Sequence, residues 1–149
     1  MGTIDDPQRC VALWRRLALA PGRTLGTLQR GRKDEYIIVT AAAALAFDEG
    51  RTYAESDVNL VLERWLSGPG AMLATDRVEL RRALVDCRLL ERDCYGRSYR
   101  RAAGVPLAWR VALGALDALD LAAEAEHARA ADALLRAERK ARWLQAAAG

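Results

Sequence analysis

Apolar positions recur along this chain at helical spacing, broken by short polar stops. Asp6-Pro7 opens a first helix, with Pro placed where a missing N–H costs nothing. Cys10, Trp14 and Leu17 follow at i, i+4 and i+7, and Ala20-Pro21-Gly22 closes the helix. A basic loop is expected from Arg23 to Lys33. A second helix is predicted from about Asp34 to Phe47, with Ile37, Ile38, Ala41, Ala44 and Leu45 on its buried side. Asp48-Glu49-Gly50 stops it. A third helix is predicted from about Ala54 to Leu66, where Val58, Leu62 and Trp65 fall on one face, and Ser67-Gly68-Pro69-Gly70 breaks it.

The next helix carries its own start signal. Asp76 is a cap and Glu79, three residues on, completes a capping box, with Leu80, Ala83, Leu84 and Cys87 on the core arc. Leu89–Arg92 and Ser98–Arg101 then read as two short strands joined by a Gly-containing turn, Asp93–Arg97. Beyond Gly104-Val105-Pro106 the texture changes. From Leu107 to Gln145 there is no Pro, one interior Gly, and mostly Ala, Leu, Glu and Arg, all strong helix formers. A single helix over that stretch would be ~58 Å long. It must either fold into a hairpin, with a break near Glu126–Arg129, or extend outward to pair with a second copy. The fold class expected is therefore mainly α: a winged helix-turn-helix core with a small β-hairpin wing, flanked by N-terminal and long C-terminal helices. The expected organisation is an N-terminal helix over 1–22, a winged-helix domain over 23–102 and a helical extension over 103–149.

Charge sharpens this picture by its distribution. The net charge is only +3 over 149 residues. Residues 77–101, however, hold eight Arg against four acids, a local excess of +4. A polyanion would be drawn there. In a helix-turn-helix the second helix enters the major groove while nearby cations grip phosphates. Arg77, Arg81 and Arg82 lie on or beside that helix, and Arg97, Arg100 and Arg101 lie on the wing. Asn59, on the preceding helix, is a further candidate for a phosphate or base contact, set against a structural role bonding nearby backbone. Arg82 is equally placed to pair with Asp86 at i+4.

Other chemistry is sparse. Cys10, Cys87 and Cys94 lack metal-ligand spacing, and the first residues, Met1 to Asp6, show no leader pattern. These features give an expectation of a reducing cytoplasm with free thiols. Cys87 reads as a core thiol, and Cys94 as an exposed one among arginines. His127 is the only histidine, so no His-based metal pair exists. The longest apolar run, Tyr36 to Phe47, is too short to cross a bilayer. No nucleophile elbow, phosphate-cradling Gly loop or catalytic Ser/His/Asp set is discernible. Neither an enzyme, a cofactor nor a metal is expected. Tyr53 and Tyr99 are expected to be half-buried with wet hydroxyls.

The stretch from about Leu25 to Arg101 resembles a bacterial family, domain of unknown function 2087. Gly50-Arg51-Thr52-Tyr53, Glu55-Ser56-Asp57-Val58-Asn59 with Leu62, and Leu80–Asp86 carry the resemblance. Leu89–Asp93 and Tyr95–Arg101 complete it. The resemblance implies a winged-helix domain associated with transcription regulators. Two features depart from the family pattern. Ala54 stands where a capping Thr is usual, with Thr52 as the substitute cap, and the connector Ser67–Thr75 is longer. The functional expectation is a DNA-binding, regulator-like protein acting on double-stranded DNA, homodimeric through its terminal helices, the two outer helices, with Trp14, Trp109 and Trp143, packing together or forming the dimer interface. The rival expectation is a non-catalytic protein-interaction or small-molecule-sequestering module on the same scaffold.

Overall fold

A computed structural model describes residues 4–149. Helix α1 (Pro7–Ala18) begins where the Asp6 carboxylate accepts the Gln8 N–H at 2.9 Å. It buries Cys10, Leu13, Trp14, Leu17 and Ala18, the stripe expected of a helix lying on a core. Helix α2 (Leu25–Gly31) occupies the segment expected to be a basic loop. Its signals are slight: Thr24 caps it by accepting the Thr27 N–H, and only Leu25 and Leu28 are buried. One turn of apolar pairing inside a run of Gly, Arg and Gln leaves little periodicity to detect.

Helix α3 (Lys33–Ala44) is the centre of the molecule. Ile38 through Ala44 are all buried, so the helix is covered on every side and lacks a polar face. It ends three residues before Phe47, which packs edge-on against Tyr53 with ring centroids 5.1 Å apart. Strand β1 (Thr52–Ala54) follows and leads directly into α4 (Glu55–Ser67). Thr52 belongs to the strand, so the expected substitute cap is not made: Ala54 occupies the cap position without a side-chain hydrogen bond.

The long connector after α4 is anchored rather than loose. Met72 is buried, its carbonyl accepts the Gly22 N–H at 2.8 Å, and the Ala74 N–H donates to the Arg23 carbonyl at 2.9 Å. Gly70 lies flat on the Trp65 ring, so a Cβ there would stand 2.2 Å from Cζ3. Helix α5 (Arg77–Asp86) starts as expected, with Asp76 accepting the Glu79 N–H at 2.8 Å. Strands β2 (Leu90–Arg92) and β3 (Ser98–Arg101) form the expected hairpin. The sheet has a third member that the sequence did not announce. β1 pairs antiparallel with β3, giving the order β1-β3-β2 with Tyr53 opposite Tyr99 and Arg92 also opposite Tyr99.

Both tyrosines are buried instead of half-buried as expected, and the Tyr53 hydroxyl accepts the Asp48 N–H at 2.8 Å. Burial raises the pKa of the Tyr36 phenol and of the Cys87 thiol, which donates to that phenol at 3.5 Å.

The C-terminal stretch breaks near Ala118–Asp120, not at Glu126–Arg129. Helix α6 (Leu107–Asp117) packs on α3 and α1, burying Ala112 and Leu116, and the Trp109 indole N–H donates to Thr40 Oγ1 at 2.9 Å. Helix α7 (Leu121–Ala148) is capped by Asp120 and packs on α1, where Trp14 donates to the Leu121 carbonyl at 3.0 Å. The outer helices thus pack together, α1 on α6 and α7; of their tryptophans, Trp14 is in the core against Trp65, Trp109 is half-buried on α3, and Trp143 is 67% exposed. No helix of the described residues is long and apolar enough to cross a membrane.

Candidate nucleic-acid interface

The hairpin stands beside the last turn of α5, and a groove of about 430 Å³ runs between them. Arg81, Arg82, Val85 and Asp86 line it from α5, Arg92, Gly96 and Tyr99 from the hairpin, and Glu55 from the start of α4. Strand alternation places Arg92 on the same side as buried Leu90, the side turned toward α5. The hairpin turn is held rigidly. Asp93 accepts the Arg97 N–H at 2.7 Å, and this bond is the largest cause of its lowered pKa. Gly96 in that turn has φ +67°, a left-handed conformation that a side chain would resist.

The seven residues expected to contact nucleic acid fall into three sets. Arg81 and Asn59 bond to each other. The Arg81 Nη1 donates to Asn59 Oδ1 at 2.5 Å and lies 3.1 Å from the Glu55 carboxylate, with its side chain only 16% exposed. This cluster ties α5 to the first turn of α4. Arg101 is similarly withdrawn, 14% exposed and paired with Glu49 at 3.6 Å.

Arg77 and Arg100 form the second set, exposed but paired. Arg77 meets Glu63 of α4, and Arg100 meets Glu91 across the strands at 3.0 Å. Exposed pairs of this kind contribute only about 0.2–1 kcal/mol, so a phosphate can replace the carboxylate at little cost.

The third set is free. Arg82 and Arg97 are exposed and make no ion pair among the described residues, and the expected Arg82–Asp86 pair does not form. Arg97 lies over the Tyr95 ring at 5.7 Å, a contact that keeps the charge available. Arg92 belongs with this set, being exposed, unpaired among the described residues and in the groove itself. Sequence reasoning left it out of the site, although its spacing two residues beyond Leu90 already placed it on the α5 side of the strand. Val78, 37% exposed and one turn before Arg82, adds an apolar contact on the same helix face.

The arrangement thus offers a groove between a helix and a hairpin with Arg82 and Arg92 in its lining, while Arg77 and Arg100, outside that lining, are paired with displaceable carboxylates. Its donors are guanidiniums, suited to bidentate bonding of phosphate or of guanine edges. No cluster of three or more His, Cys, Asp or Glu side chains able to hold a metal occurs among the described residues.

Residues 24–101 match the model of a bacterial protein family described as an uncharacterized protein conserved in bacteria, DUF2087. No curated protein and no solved structure matches the chain. The matched stretch runs from the cap of α2 to the end of β3, and so takes in α5, the whole sheet and the groove between them. More than half of the sequence is covered, and the chain belongs to the DUF2087 family.

Proposed function

We propose that this protein is a double-stranded DNA-binding, transcription-regulator-like protein whose winged helix-turn-helix presents α5 to the major groove and the β2–β3 hairpin to the adjoining backbone. The order α3, β1, α4, α5, β2, β3, with β3 between the other two strands, is the order of a winged helix. The observation that carries the reading is Arg82 and Arg92, two exposed, unpaired cations lining one groove between helix and wing, with Arg97, exposed and unpaired, next in sequence to Gly96 of that lining. Val78 supplies the apolar contact that thymine methyl groups favour. Arg77 and Arg100 exchange their carboxylates for phosphates on binding, while Arg81 and Asn59 hold α5 at its angle.

A second reading, a protein-interaction module on the same scaffold, draws on a specific observation: four of the six expected arginines already face carboxylates. Fluorescence anisotropy with a labelled duplex of mixed sequence at low salt separates the two. The DNA reading expects micromolar binding, typical of the sequence-independent electrostatic contribution, and an Arg82→Ala/Arg92→Ala variant with markedly weaker affinity. A wild-type protein that leaves the duplex unbound at low salt overturns it.

A further inference from the structure

From Glu126 onward α7 leaves the core, and every residue except Ala128 and Asp132 is exposed. Large apolar groups go with it: Leu134, Leu135, Trp143 and Leu144 are 62%, 47%, 67% and 51% exposed. The side of α7 nearest the body is marked by Arg129, Asp132, Ala133 and Arg136, which face Ala18, Leu19, Pro21, Ala71 and Met72 across a groove. Ala130, Leu134, Ala137, Ala141, Leu144 and Ala148 lie elsewhere, roughly 100° round the helix by its 3.6-residue turn. All six are exposed, and they follow one another at steps of four, three, four, three and four. This is the heptad spacing of a coiled-coil seam.

Charge selects the occupant and its direction. Residues 121–134 hold three acids and one Arg, while 135–148 hold four bases and one Glu. Two copies lying parallel would set like against like, and two lying antiparallel set acidic half against basic half. The α7 ion pairs are Arg15–Glu124 and Arg136–Asp132, leaving Glu126, Arg129, Glu138, Arg139, Lys140 and Arg142 without one among the described residues, of which Glu126 and Lys140 share one edge of the seam. These two stand fourteen residues apart, two heptads, and so border the seam on the same edge. In an antiparallel pair that edge faces itself, bringing Glu126 of one copy to Lys140 of the other, twice by symmetry. In a parallel pair the same edge meets the opposite one, which offers Ala131 and Gln145 instead.

We infer that α7 from Glu126 onward is the self-association surface of this protein, pairing antiparallel with α7 of a second copy in a register set by Glu126 and Lys140. The inference stands independently of DNA binding. The Ala-rich seam adds little apolar area, so the charge pattern decides the orientation.

Sedimentation equilibrium of the full-length chain tests it. The wild type is expected to dimerise, and Leu134→Glu to be monomeric with an unchanged far-ultraviolet circular dichroism fold signature. Glu126→Lys and Lys140→Glu should each weaken the dimer roughly ten-fold, since two symmetry-related attractions become repulsions. The combined Glu126→Lys/Lys140→Glu chain should return to near wild-type association. Single variants that associate like wild type would overturn the antiparallel register, and a wild type that stays monomeric at ~100 µM would overturn the surface itself.

Discussion

The α5–hairpin face and the far half of α7 are both rich in arginine, yet the structure treats their charges differently. On the α5–hairpin face, Arg77, Arg81, Arg100 and Arg101 are met by Glu63, Glu55, Glu91 and Glu49. Three of those four carboxylates come from α4 or the loop before β1, outside the 77–101 stretch whose excess charge first drew notice. On α7 the one such pair within the helix is local, Arg136 to Asp132 at i+4, and most charges face solvent. Local charge counts therefore overstate what a folded face can offer. The chain brings distant acids to some arginines and leaves others unpaired.

The two regions also differ in what holds them, and the largest expected effect follows from that. Leu84 is fully buried under α5, whereas Leu144 on α7 is 51% exposed. Leu84→Ala should lower unfolding stability by about 2–5 kcal/mol, while Leu144→Ala in a monomeric background should change it by less than about 0.5 kcal/mol, both read from urea unfolding. Comparable losses at both sites would mean that α7 is docked to the body.

A middle-sized effect tests the connector that sets the angle of α5. Gly70→Ala places a methyl into the Trp65 ring, and should cost about 1–3 kcal/mol with a shift in tryptophan emission. Unchanged emission would show that the connector does not rest on that ring.

The smallest change concerns the paired arginines. Glu63→Gln releases Arg77, and Glu91→Gln releases Arg100. Each should alter stability by no more than about 1 kcal/mol, and should tighten duplex binding a few-fold at low salt. Weaker binding would make these carboxylates part of the contact instead of competitors for it.

A related effect appears with pH. Burial raises the folded-state pKa of the Cys87 thiol, so its contribution to stability is present below the unfolded thiol value and fades as pH climbs above it. Unfolding stability should therefore decline on the alkaline side of about pH 9, where a free thiol titrates. Exposed Cys94 should meanwhile react with a maleimide well before Cys87 and Cys10, whose thiol is fully buried.

Elements with strong local signals were legible in the sequence. The Asp76 cap, the β2–β3 hairpin and the buried stripes of α1 and α4 needed no tertiary information. What escaped was decided by distant partners. β1 is three residues long and exists because β3 offers it an edge. α2 is seven residues and is held by packing against α3. The break before α7 has no Pro or Gly to mark it; Asp120 caps the new helix where Leu116 and Leu121 both turn inward.

The site was legible by region and not by residue. The stretch 77–101 does contain the groove, but no local rule says that Arg81 answers to Asn59 and Glu55 while Arg82, one position on, answers to solvent. Arg92 shows the converse. Its place in the groove depends on how the hairpin seats against α5.

The central claim is that Arg82, Arg92 and Arg97 meet a phosphate backbone, and the salt dependence of duplex binding addresses it most directly. Each phosphate contact contributes a slope of about −0.9 to log affinity against log salt concentration for B-form DNA. The account expects a steep slope for the wild type, shallower by about two per protomer in Arg82→Ala/Arg92→Ala, with the fold retained. A variant with the wild-type slope and affinity would contradict it, because the groove would then make no contact with the backbone.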